Sequence, residues 1–133
     1  MDAIFLAKVR GNFPEVRFKA GNKFSFRPPK TVFFDKNCDE NFSSLLLLHE
    51  LGHFLCGKFE FKTEIERLKI EVLAWEKAKK LAPLYGILID EELIENELNS
   101  YRNWLHQKSR CPSCGLTRFQ TLDGVFYCPK CDV

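Results

Sequence analysis

Two histidines four residues apart, His49-Glu50-Leu51-Gly52-His53, are the part of this 133-residue sequence best suited to chemistry. On a helix that spacing puts both imidazoles on one face, where they can ligate a single zinc ion. Zinc held by three protein ligands keeps a position open for water and brings that water's pKa towards neutrality, so that a neighbouring carboxylate, here Glu50, can take its proton. These are the parts of a peptide-hydrolysing site. Two histidines packed as ordinary core residues would leave a glutamate stranded in a helix rich in Leu and Phe. A metal and its water account for all three polar residues together.

The third ligand has to come from elsewhere. The one remaining histidine, His106, lies beyond the next two expected helices, which favours a carboxylate. Glu71 and Glu76 both sit on the helix that follows, and antiparallel packing across a short connection returns that helix towards the site. Glu64 and Glu66 are too near its start.

A second group of residues points to metal without catalysis. Cys111-Pro112-Ser113-Cys114 and Cys128-Pro129-Lys130-Cys131 are two tight loops with thirteen residues between them, each offering two thiolates to one tetrahedral ion. Asp123-Gly124, between Phe119-Gln120-Thr121-Leu122 and Val125-Phe126-Tyr127, is a hairpin turn that folds the second pair over the first. Four sulfurs leave no position for water, so this ion is expected to be structural and to fold the tail on binding. The pattern resembles a zinc ribbon. Cys38 and Cys56 are left as free thiols.

The run His49-Glu50-Leu51-Gly52-His53 followed by Glu71-Val72-Leu73-Ala74-Trp75 resembles the gluzincin metallopeptidases, especially the small ImmA/IrrE-type and minigluzincin-like members, over residues 31–85. In those, a Glu-x-x-Ala helix supplies the third ligand. The resemblance therefore implies His49, His53 and Glu71 as ligands of a catalytic zinc and Glu50 as general base, with Glu76 left at the surface or behind the ligands. Trp75 stands where the ImmA/IrrE group usually has Asn or a similar polar residue. SprT-like proteins are similar in layout only, because their third ligand is a histidine from a motif that this sequence lacks. In zincins generally an edge strand above the zinc helix pairs with extended substrate, which assigns Thr31–Asp35 to that task. A tyrosine or histidine often steadies the oxyanion, and Tyr85, Tyr101 and His106 are available.

The elements that must position these residues follow from periodicity. Val16-Arg17-Phe18-Lys19 and Phe24-Ser25-Phe26-Arg27 alternate around Ala20-Gly21-Asn22 and predict a β-hairpin, with Thr31–Phe34 a third strand after Pro28-Pro29. Asn41 or Ser43 is suited to cap a buried helix running through the four leucines 45–48 to Cys56 and stopping at Gly57. Thr63-x-x-Glu66 is a capping box opening a helix that ends before Pro83, and Asp90 caps another, with Leu93, Ile94, Leu98, Tyr101 and Leu105 along one face.

Hydrophobic residues make up 45% and charged residues 29%, the balance of a globular chain with room for one modest core and a small appendage. The expectation is thus an α+β fold. The resemblance implies that residues 1–107 form a small zincin-like domain, a short sheet packed on the zinc helix and the helices after it, and residues 108–133 are expected to form a zinc ribbon. Two Zn2+ ions per chain are expected, one catalytic and one structural, with a polypeptide as substrate. No apolar run approaches the roughly 20 residues that cross a bilayer, and the first ten residues lack a charged leader with a cleavage site, so a cytoplasmic protein without membrane contact is expected. The net charge of +2 conceals basic ends and an acidic middle. Nucleic acid is accordingly a candidate partner, through the basic N-terminal strands or through Lys108, Arg110, Arg118 and Lys130 of the ribbon. The rival to peptide hydrolysis is a metal-binding regulatory or nucleic-acid-associated protein with little or no protease activity.

Overall fold

The computed structural model describes residues 1–38 and 40–131. It is a small α+β protein with two compact units, one comprising Met1–Phe59 and Val72–Ile89, the other Glu60–Glu71 and Asp90–Val133. Among the described residues no helix is long and apolar enough to cross a membrane.

The first unit opens with helix α1 (Ala3–Asn12), an element that the apolar N-terminal stretch had not disclosed. Asp2 caps it, its carboxylate accepting from the Ile4 amide at 2.9 Å, and Phe5 and Val9, one turn apart, go into the core. Three strands follow: β1 (Arg17–Gly21), β2 (Ser25–Arg27) and β3 (Thr31–Asp35), in the order β1-β3-β2. β1 runs parallel to β3, pairing Arg17 with Thr31 through Gly21 with Asp35, and β2 runs antiparallel to it.

This corrects the expected hairpin. The two alternating segments do not pair with each other, because the third strand lies between them. β3 carries the most nearly continuous apolar run, and Thr31, Val32 and Phe34 are all buried, which suits a central strand better than an edge. It also corrects the role assigned to Thr31–Asp35. A strand bonded on both sides has no free backbone edge to offer a substrate.

Helix α2 (Glu40–Cys56) packs on β3 and β2. It starts ahead of both residues proposed as caps, so Ser43 is a buried residue of its first turn rather than its terminus. Leu45, Leu47, Leu48 and Leu51 are buried, as a helix apolar on most of its faces requires. It ends as expected at Gly57, whose φ of 68° places it in the left-handed region.

Helix α3 (Glu64–Leu81) contributes to both units, its part up to Glu71 to the second and the remainder to the first. The capping box is present in modified form. The Glu66 amide donates to Thr63 Oγ1 at 3.2 Å, while the Glu66 carboxylate reaches the Lys62 amide at 3.3 Å instead of that of Thr63. In the first unit Ala74, Trp75 and Ala78 of α3 enter the core, and a 3-10 turn, Ala82–Tyr85, follows.

In the second unit helix α4 (Glu91–Ser109) is capped by Asp90, which accepts from the Leu93 amide at 3.0 Å. The hairpin of β4 (Phe119–Gln120) and β5 (Phe126–Tyr127) closes through Gly124, with φ of 90°. Its turn abuts the start of α3: a Cβ added at Gly124 would strike the Lys62 carbonyl oxygen, so no side chain fits there.

Candidate metal centres

The spacing of His49 and His53 on α2 brings their rings together, with centroids 4.8 Å apart. Glu71 completes the set. Donor atoms of His49, His53 and Glu71 all lie within 4.8 Å of one another, a cluster of two nitrogens and one carboxylate oxygen that fits a metal ion. Glu50, only 9% exposed, has Oε1 3.5 Å from His49 Nδ1. Glu76, the other carboxylate considered, is exposed and lies 3.7 Å from Lys79 Nζ, in an ordinary surface pair one turn along the helix.

How α3 comes close enough is legible in two small residues. Gly52, inside the His-Glu-Leu-Gly-His run, faces Ala74 so tightly that a Cβ at Gly52 would collide with the Ala74 backbone carbonyl. Ala74 is itself completely buried. Two side chains with almost no bulk thus let the backbones of α2 and α3 approach, and Glu71 sits three residues before Ala74, about one turn along.

An aromatic residue, Trp75, lies against this cluster, a contact that its position in the sequence did not disclose. The Trp75 indole, 2% exposed, lies flat on His49, with ring centroids 4.0 Å apart and planes 4° apart. Phe26 of β2 is nearly parallel to His53 at a looser 6.2 Å, and at 5.5 Å from Phe59.

Of the residues considered for an oxyanion, Tyr85 falls in the first unit and Tyr101 and His106 in the second. Tyr85 accepts from Asn12 Nδ2 at 2.8 Å and meets the edge of Phe5, a structural position in the first unit. Tyr101 belongs to the second unit, where Arg67 lies over its ring. Burial, with the carboxylate of Glu64 facing it, pushes the Tyr101 phenol up to about 12 despite the opposing charge of Arg67. His106 is exposed in the last turn of α4.

At the C-terminus the four cysteines Cys111, Cys114, Cys128 and Cys131 converge as free thiols. Sulfurs are 3.9 Å apart for Cys111 and Cys131 and 3.5 Å for Cys114 and Cys128. A tetrahedral ion with zinc–sulfur bonds of about 2.3 Å sets its sulfurs about 3.8 Å apart, so the cluster fits. Backbone amides of Cys114 and Ser113 lower the Cys111 thiol to about 6, towards the thiolate that a metal binds. Cys131 goes the other way, to about 12, because hydrogen bonds with Cys114 and Cys111 favour its protonated form.

Of the four ribbon cations read as phosphate contacts, two are engaged within the unit. The Arg118 guanidinium donates to the Lys108 carbonyl at 2.8 Å and lies over Phe126, and Lys108 Nζ binds Glu64 Oε1 at 2.7 Å. Comparison with protein-family models, curated proteins and solved structures returns no match.

Proposed function

We propose that this chain is a metal-dependent hydrolase whose site is built from one helix and one carboxylate of the next. More particularly, it is a gluzincin-type zinc metallopeptidase of small size, carrying a C-terminal zinc ribbon. The observation that supports this reading is the convergence of His49, His53 and Glu71 to within 4.8 Å, with the glutamate of the same His-Glu-Leu-Gly-His run beside them.

Zinc bound to those three residues would supply a Lewis acid and a water of lowered pKa. His49 and His53 contribute neutral nitrogen donors, and Glu71 the single negative charge among the three. Glu50 is the proton carrier. Its carboxylate accepts the proton of the attacking water and delivers it to the departing amine of the peptide. The four cysteines have no part in the reaction and hold a structural ion.

Glu50→Gln tests the reading. The amide cannot accept the proton, so the variant should keep its fold and its metal content while losing cleavage of an unfolded protein substrate by about 10²- to 10⁴-fold. Undiminished cleavage would place the activity at another site. A parent protein that contains both metals yet cleaves neither peptides, unfolded proteins nor nucleic-acid-bound proteins would favour the metal-binding regulator instead.

A further inference from the structure

We propose that Trp75 is the positioning residue of the histidine–glutamate metal site, fixing the plane of the His49 imidazole and favouring its metal-bound state. This inference rests on the metal reading of His49, His53 and Glu71, and is independent of whether the site cleaves peptides.

The geometry is that of a full stack rather than a casual contact. Ring centroids 4.0 Å apart and planes within 4° place the indole face against the whole imidazole. An imidazole on a helix turns about two bonds, so fixing its plane confines both nitrogens to two orientations related by a half-turn of the ring. Trp75 can impose that plane because it cannot itself move: it is buried, and its neighbour Ala74 is locked against Gly52. Phe26 lies nearly parallel to His53 at a longer 6.2 Å.

A second effect acts in the same direction. A histidine that ligates a divalent cation has electron density drawn from its ring and carries partial positive charge, and the face of an indole is the strongest aromatic attractor of positive charge. The stack is therefore stronger with metal than without it. By linkage, whatever stabilises the loaded form more than the empty one raises metal affinity. Phenylalanine offers a weaker face and leucine none, so affinity should fall in the order Trp, Phe, Leu at position 75.

The chain has two tryptophans, so in Trp104→Phe protein Trp75 is the sole indole and its emission reports its own surroundings. Zinc titration of this protein, with the ribbon already loaded, should change that emission in step with the second equivalent bound. Trp75→Leu should bind that equivalent about 10- to 100-fold more weakly, the range for partners that orient a ligand, while the ribbon zinc is retained. Trp75→Phe should fall between, and Phe26→Leu should weaken binding by less than either. Emission indifferent to the second equivalent, or equal affinity in the parent and Trp75→Phe proteins, overturns the proposal even if Trp75→Leu fails to fold. Retention of both equivalents by His49→Ala would overturn the metal reading, and this inference with it.

Discussion

A carboxylate's position on a helix decides what it can do. Glu71 and Glu76 are five residues apart, about 500° around the axis, and the two end in different surroundings: one beside His49 and His53, the other exposed with Lys79. Glu71→Gln should therefore lower zinc affinity at this site by more than the roughly 10- to 100-fold that loss of an orienting partner costs, while Glu76→Gln leaves it unchanged, as read by competition with a chelator. Equal losses would remove Glu71 from the ligand set. The histidine pair and the two cysteine pairs were legible in the sequence, because groups close together along the chain reveal themselves by spacing. Spacing alone left Glu71 and Glu76 both open, since a ligand on another helix is selected by packing. Tyr101 makes a different prediction. Its phenol is held at about 12 when folded, above its ordinary value of 10.0, so the folded state retains a proton that the unfolded chain releases more readily. That contribution is complete below about pH 10 and is lost as pH rises towards 12. In urea titrations Tyr101→Phe should decline less steeply than the parent between those values; parallel slopes would refute it.

At the scale of elements, the close crossing of α2 and α3 is set by the smallest available side chains. Gly52→Ala adds one methyl group against a backbone carbonyl that no rotamer change can move, so the helices must part. The expected cost is about 1–3 kcal/mol of stability, with weaker zinc binding because Glu71 retreats with its helix. A Gly52→Ala protein with unchanged melting temperature and zinc affinity would show that the contact is not needed. The helices α2, α3 and α4 were read well because each carries its own stop or start signal: Gly57, Thr63 with Glu66, and Asp90. The sheet was read less well, for a physical reason. Alternation in residues 16–19 and 24–27 identifies strands and their buried faces but not their neighbours, and a third segment more apolar than either took the place between them. α1 was not legible because its two buried positions, Phe5 and Val9, are too few to set a helical period.

Across the whole molecule, the ribbon is built into the unit that contains the first turns of α3. The Glu64 amide, one of the unpaired donors at that helix start, is accepted by Gln120 Oε1 of β4 at 2.7 Å, and Gln120 Nε2 is held in turn by the Gly124 carbonyl at 3.0 Å. The Glu64 carboxylate, 7% exposed as a residue, is matched by Lys108 in the last turn of α4. Cys111→Ser combined with Cys114→Ser removes half of the ribbon's sulfurs. It should release the ribbon zinc and also speed amide hydrogen exchange at Glu64 to Arg67, while exchange in the first unit's sheet stays slow. Unchanged protection at Glu64 would mean that the helix start holds without the hairpin. None of this was legible in the sequence, because a side-chain amide reaching a helix terminus 56 residues away leaves no periodic trace.

The same join limits how freely the tail can be exchanged. Cysteine-rich hairpins of this kind look interchangeable when judged by their metal knuckles, but a graft preserving only the four sulfurs would bring no amide acceptor to Glu64 and no room for the Lys62 carbonyl where Gly124 now lies. A functional chimera would have to carry Lys108, Gln120 and Gly124 along with the cysteines, so the unit of inheritance here is wider than the motif that advertises it.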